Sequence, residues 1–493
     1  MKYLWLIALF VFPSLVFSQY NISKFIEAGK NALEYKDYTS AIKYFNNVID
    51  NRPKIHEAYY FRGKAKYYLG DFSGSEADLT EVLNLNPYYY DAYELRGSCR
   101  MHLHKYKEAA NDYSRSTTYK TDDINIWYNW VYCLLESGDY ELADNITNQM
   151  LSKWHESPRV LFLKALCLYS LNQTQALDAI LDYCLSLDPF NIDALNFKAH
   201  NLFSQGKWQE SEQYFTRFLH LYPSNSDKLV YRGLCLLAQG KISESLKDLN
   251  TALSISPKNI IGLYNRALLY YSTDKTKYSI EDLKTIIAQS EYSDVASRIL
   301  NSIVNYKREV IIKPELSFNN LRKLSDSTFE NTYKYVIYDD KYIFSNIISP
   351  NTFSSKELDF SQMYSLLPPL NLTSYQFEAY NNPQSFIKGY ESLLMKDYLM
   401  AIKYFTQCNN ENNYISESYY NRSYAYAQIN NFEKSLSDLN NAIRYNNNFA
   451  EAYYNRGLLY LRLKNTEAAR KDFSKAGELG IDFAYRIIKE IPL

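Results

Sequence analysis

A ruler of 34 residues runs through this chain, and it limits the fold more than any other feature. Prolines stand at Pro53, Pro87, Pro189, Pro223 and Pro257, with gaps of 34, 102, 34 and 34. Gly29, Gly63 and Gly97 keep the same spacing, and Gly233 follows four periods later. Small residues recur at Ala41, Ser75, Ala109, Ala143, Ser211, Ser245 and Ser279. A large apolar residue comes four positions after most of them, at Phe45, Leu79, Tyr113, Phe215, Leu249 and Leu283. Self-similarity at such a period marks a stacked repeat whose units cannot bury their apolar faces alone. Each unit reads as two antiparallel helices. The small residues let the pair approach, the large ones fill the groove, and proline ends the second helix. With only 14 glycines and 13 prolines in 493 residues, long helices and short turns fit better than a loop-rich β protein.

The first residues form a separate segment. Lys2 precedes an unbroken apolar run from Tyr3 to Phe12 that continues to Phe17, and Ser18 offers a small residue for cleavage. Residues 1–18 are expected to be a signal peptide, too short in its apolar part to span a bilayer. The expected location is therefore outside the cytoplasm: periplasmic, envelope-associated or secreted. About eight units fit residues 22–293. The period resumes at 382, out of phase with the first array, and about three units plus a final helix from Phe483 to Glu490 complete residues 382–493. Repeat arrays need such a cap over their last face. Residues 294–381 break the rule. Within them Tyr333–Tyr338 and Tyr342–Ile348 flank Asp339-Asp340-Lys341, which predicts a β-hairpin in a non-repeat insert.

The run Tyr453-Tyr454-Asn455-Arg456-Gly457, followed by Ala469, Phe473 and Ala476, resembles the tetratricopeptide repeat family. The resemblance extends over about three quarters of the chain. It implies an all-α fold, a right-handed α-solenoid of helix-turn-helix units. Its concave face would be lined by the first helix of each unit and would bind a protein or peptide. It does not name the partner.

One correlation is internal to the repeats. With Ile22 as slot 1, arginine occupies slot 7 in six units: Arg62, Arg96, Arg232, Arg266, Arg422 and Arg456. Aspartate stands sixteen residues later in the same six, at Asp78, Asp112, Asp248, Asp282, Asp438 and Asp472. The other five units have neither. Joint presence and absence predicts contact between the two helices of one hairpin, through a charge-assisted fork.

Slots 5, 9 and 12 of the first helix share one stripe and are the candidate groove surface. They are rich in aromatics: Tyr60, Tyr67, Tyr128, Tyr132, Phe162, Tyr169, Phe203, Tyr264 and Tyr271 in the first array, then Phe386, Tyr390, Tyr420, Tyr424 and Tyr454 in the second. Rings with a hydroxyl suit binding surfaces. The favoured partner is an extended protein or peptide segment lying along them. The alternative is a carbohydrate or peptidoglycan stacked on the same rings.

The chain offers no Gly-rich phosphate loop, no His-Glu-x-x-His, no Gly-x-Ser-x-Gly and no Cys-x-x-Cys. No catalytic residue, metal site or cofactor is expected. A formal net charge of −1 gives no electrostatic reason to bind nucleic acid. Cys99, Cys133, Cys167 and Cys235 take slot 10, and Cys184 and Cys408 take slot 27, where a small buried side chain is wanted. Cys167 and Cys184 share a unit and are the pair to test for a disulfide.

Overall fold

The computed structural model describes residues 22–273, 275–289, 297, 300, 384–411 and 415–491. The signal segment and the expected β-hairpin lie outside these residues. Those described contain 23 helices and no strand.

The first three units are α1 (Ile22–Glu34) with α2 (Tyr38–Asn51), α3 (His56–Tyr68) with α4 (Phe72–Leu85), and α5 (Tyr90–His102) with α6 (Tyr106–Thr117). Next come α7 (Ile124–Glu136) with α8 (Tyr140–Lys153), α9 (Pro158–Ser170) with α10 (Thr174–Leu187), and α11 (Ile192–Ser204) with α12 (Trp208–Leu221). The first array ends with α13 (Ser226–Ala238) and α14 (Ile242–Ile255), then α15 (Ile260–Ser272) and α16 (Thr276–Gln289). The second array is α17 (Gln384–Leu394) with α18 (Tyr398–Asn410), α19 (Ile415–Gln428) with α20 (Phe432–Tyr445), and α21 (Ala450–Arg462) with α22 (Thr466–Glu478), followed by α23 (Ala484–Glu490).

Two compact units divide the chain. One comprises Met1–Ile126 and Phe353–Leu493, the other Trp127–Thr352. In both, paired helices pack on each other, as α3 does on α4 and α13 on α14, and successive hairpins stack, as α4 does on α5 and α12 on α13.

The turn between the paired helices is the same device each time. The residue in slot 15 takes a left-handed conformation: Gly70, Gly138, Gly206 and Gly240, but also Lys36, His104, Asn172, Lys396, Asn430 and Lys464. That lets the next amide reach back five residues, as in Asp71 N to Lys66 O (2.9 Å) and Asn465 N to Tyr460 O (2.9 Å). Orphan carbonyls at the helix end are thereby satisfied. Where slot 16 is Asp or Asn, its side chain often caps the second helix, as Asp37 does for Ser40 N (3.2 Å) and Asn465 for Ala468 N (3.1 Å).

The small residue in slot 20 acts by contact. Ser75, Ser211 and Ser435 each donate a hydroxyl hydrogen bond to the slot 8 carbonyl of the paired helix, at 2.7, 2.8 and 2.8 Å. Gly29 is required by a ring: a Cβ there would lie 2.6 Å from Phe45 Cζ. Phe45, Leu79, Tyr113, Phe215, Leu249 and Leu283 are all fully buried.

Candidate functional site

Each of the six arginines meets its aspartate through a two-bond fork. Nε and Nη2 donate to the two carboxylate oxygens at 2.9 and 2.6 Å for Arg62–Asp78 and at 3.0 and 2.8 Å for Arg96–Asp112. The distances are 2.7 and 2.8 Å for Arg232–Asp248 and 2.9 and 2.7 Å for Arg266–Asp282. They are 2.8 and 2.7 Å for Arg422–Asp438 and 2.7 Å twice for Arg456–Asp472. The carboxylates are buried and the guanidiniums largely so. Burial raises the Asp112, Asp438 and Asp472 carboxyls, against the lowering effect of the paired arginine.

Sequence reading missed the arginine's third bond. Nη1 of Arg62, Arg266 and Arg456 donates to Asn46, Asn250 and Asn440 at 2.8, 2.9 and 2.7 Å. In Arg96 and Arg422 it donates to the hydroxyls of Thr80 and Thr406. These partners sit sixteen residues before the arginine, on the second helix of the preceding hairpin. The guanidinium thus ties one unit to its neighbour as well as closing its own. A polar residue at that earlier position was the available signal. Three units without the pair carry lysine in slot 7, Lys164, Lys198 and Lys388, and the first two contact the preceding hairpin. Lys164 reaches Asp144 (2.5 Å) and Asn148 (2.7 Å), and Lys198 reaches Asp182 (2.8 Å).

The aromatic stripe divides into two kinds of position. Tyr60, Tyr67, Tyr132, Phe162, Phe386, Tyr420 and Tyr454 are buried, so these seven candidates are interior residues and present little to a partner. The reason is a ring contact across the repeat. Slot 5 meets the aromatic of slot 34, with centroids 4.9 Å apart for Tyr60–Tyr89, 4.9 Å for Tyr420–Phe449 and 5.1 Å for Tyr454–Phe483. The Tyr420 hydroxyl also accepts from Asn455 (2.9 Å). Tyr128, Phe203, Tyr264, Tyr271, Tyr390 and Tyr424 are half-buried. Tyr169 is 43% exposed, its ring edge-on to Phe197 at 5.3 Å. The accessible part of the stripe in the first array therefore lies in α7, α9, α11 and α15. Arg159 covers one face of Tyr128, 4.5 Å from the ring centre.

All six cysteines are buried, and Cys167 and Cys184 do not form a disulfide. Burial pushes the thiols of Cys167, Cys235 and Cys408 up to about 12 and that of Cys184 to about 11, so none is a ready nucleophile. His102 stacks on Phe72 with centroids 4.0 Å apart, and burial lowers its pKa to about 4. Among the described residues no cluster of His, Cys, Asp or Glu could hold a metal ion. No helix among them is long and apolar enough to cross a membrane.

Stacked two-helix hairpins of fixed length, locked by a recurrent Arg–Asp fork, define a helical-repeat protein. Family models described as TPR repeat match residues 233–274 and 424–464, and models described as Tetratricopeptide repeat match 62–118 and 450–479. The chain carries tetratricopeptide repeats in both arrays.

No curated protein matches it. Among solved structures, a tetratricopeptide repeat protein from Parabacteroides merdae is similar at 17% identity and a TM-score of 0.39, over 52% of this chain and 98% of that one. The C-terminal part of a TPR repeat-containing protein from Cytophaga hutchinsonii is similar at 14% identity and a TM-score of 0.42, over 48% and 98%. MamA from Desulfovibrio magneticus is similar at 16% identity and a TM-score of 0.31, over 33% and 92%.

Proposed function

We propose that the protein is an interaction scaffold that works outside the cytoplasm and takes an extended protein or peptide segment along the first helices of its repeats. The observation that carries this reading is the recurrence of accessible rings in the second compact unit. Tyr169 is exposed, and Tyr128, Phe203, Tyr264 and Tyr271 are half-buried, all on first helices of their hairpins. A ring that is held on one side and open on the other gives contact area at low entropic cost. Arg266, between Tyr264 and Tyr271, is engaged in its fork and Arg159 packs on Tyr128, so burial rather than charge would drive binding. Export rests on Lys2 and the apolar run that follows it.

The test begins with the mature protein as bait in its own cell envelope, with captured proteins identified by mass spectrometry. Replacing Tyr169, Tyr264 and Tyr271 by Ala together should abolish capture while circular dichroism and melting stay near wild type. Replacing Tyr60 should instead lower the melting temperature. Capture that survives the triple replacement moves the site off the stripe. Retention on a peptidoglycan column with no protein captured makes the ligand a carbohydrate. Cell fractionation and N-terminal sequencing decide export: an intact Met1 in the cytoplasm refutes it.

A further inference from the structure

Within the first compact unit the two ends of the chain meet. Helix α22 lies against α2 and α4. Tyr485, Ile487 and Ile488 of α23 share a buried cluster with Ile42 and Phe45 of α2 and with Phe473 of α22. The final helix therefore covers the last unit and the first unit together, where the sequence suggested only the last.

The centre of this junction is charged. Lys66 of α3 is 1% exposed. Its Nζ lies 2.8 Å from Asp78 Oδ2 and also pairs with Glu478 at the end of α22, 412 positions away. Asp78 already receives both bonds of the Arg62 fork. Lys66 thus adds a second positive charge beside Arg62, and its carboxylates are Asp78 and Glu478 in direct contact and the buried Asp71 close by. A buried charge without its partner is strongly unfavourable.

Specific polar contacts surround the pair. Asn46 of α2 donates to the Glu478 carbonyl at 2.7 Å. Ser474 donates to Asp71. At the rim, Lys43 Nζ lies 2.9 Å from Asp482 Oδ2, with both side chains exposed. The approach is close enough that a Cβ on Gly74 would collide with Ser474 Oγ. The repeats supply their own comparison. Asp37, Asp139 and Asp397 occupy the same slot as Asp71 and are exposed, whereas Asp71 is 1% exposed beneath α22.

We propose that this junction is a latch: the C-terminal hairpin and its cap are held in cis on the outer helices of the first two units by the Lys66–Glu478 pair. Loss of that charge match releases them and uncovers α2 and α4. The face so uncovered fits a helix whose last turn carries a carboxylate and whose continuation is apolar, and its resident occupant is this chain's own α22–α23. The latch is independent of the aromatic stripe and stands or falls separately from the proposed function.

The full-length chain allows a direct test. Zero-length carbodiimide coupling at low protein concentration should join Lys43 to Asp482 within a monomer, read by mass spectrometry of the linked peptides. Glu478→Gln should lower that yield about tenfold and raise amide exchange in α23 by a similar factor. Exchange in α13–α16 and in α17–α19 should stay unchanged. Equal yield and equal exchange in the variant would mean that packing alone holds the junction, and the latch is refuted. Loss of protection in all helices together would make the junction part of one cooperative core, which also refutes it. A linked dimer in place of the linked monomer would assign the seat to a second copy and overturn the cis arrangement.

Discussion

Arg232 donates two parallel hydrogen bonds to Asp248, at 2.7 and 2.8 Å, and so joins the midpoints of α13 and α14. Such a fork is worth most when both partners are present, because removing one leaves the other's charge poorly solvated. Arg232→Ala and Asp248→Ala should each cost about 3 kcal/mol. The double variant should cost clearly less than the sum. Urea unfolding of the four proteins measures this, and strictly additive losses would show that the pair does not act as a unit.

The third bond of the arginine predicts coupling between hairpins. Arg266 Nη1 donates to Asn250 Oδ1 at 2.9 Å, across the boundary between the fourth hairpin of the second compact unit and the one that follows it. Asn250→Ala should cost about 1 kcal/mol. It should lose most of that effect when Arg266 is already Ala. Because unit and interface terms add along a repeat array, the variant should also broaden the thermal transition. An unchanged width with an unchanged midpoint refutes the inter-unit role.

Slot 8 glycines differ in what they face, and the structure ranks them. A Cβ on Gly389 would lie 2.9 Å from the Phe405 ring, inside a packed core. A Cβ on Gly233 would meet Asp248 Cβ and Leu249 Cγ at 3.4 Å. Gly389→Ala should destabilise by about 1–3 kcal/mol through overpacking. Gly233→Ala should be near neutral, since better helix propensity offsets the tighter contact. Phe405→Leu added to Gly389→Ala should recover part of the loss in a thermal melt.

The repeat made much of this architecture legible. A period of 34 with small residues in slots 8 and 20 and large ones in slot 24 specifies two helices and their facing sides. The Arg–Asp correlation was readable because both partners lie in one hairpin at constant separation. The Arg–Asn and Arg–Thr bonds recur in five of the six units but join different residue types, so no single-letter pattern exposed them. The burial of Tyr60, Tyr420 and Tyr454 was hidden for another reason. Helical periodicity gives the direction of a side chain, while the slot 34 ring that covers it comes from the next turn of chain. The Lys66–Glu478 contact had no repeat to announce it, being a single event between the two ends of the sequence.

The left-handed slot 15 gives a way to strengthen the protein. Lys464 holds φ at 59°, a region that costs a side-chain-bearing residue and not glycine. Gly70, Gly138, Gly206 and Gly240 show that the turn accepts glycine. Lys464→Gly should therefore raise stability by about 0.5–1 kcal/mol. The control is Lys471→Gly, within α22, which should destabilise by about 1 kcal/mol. A melt in which both variants fall equally would contradict the turn assignment.

Two carboxylates at the chain-end junction should respond to acid in opposite ways. Burial pushes the Asp71 carboxyl up to about 6 from 3.8, against the attraction of Lys66 and the bonds from Ser474 and Gly74. A folded pKa above the unfolded one means that folding takes up a proton between those values. Asp71 then contributes stability that is fully present below 3.8 and is lost as pH rises through about 6. Burial would also raise Glu478, but Lys66 and Arg62 outweigh it and hold that carboxyl well below 4.5. Its contribution is present above 4.5 and fades as pH falls below it. Between pH 7 and pH 5 Asp71 is thus the stabilising member as acid is added. His102 works against it there, because burial lowers its pKa from 6.5 to about 4 and unfolding takes up its proton. The wild type can therefore lose stability overall on acidification, and the Asp71 contribution must be read as a difference. Asp71→Asn keeps a good cap for α4 and removes the titration. Going from pH 7 to pH 5, the variant should lose about 1 kcal/mol more than the wild type in urea unfolding. Parallel profiles for the two proteins would show that Asp71 keeps the same charge across this range and contributes no proton-linked stability there.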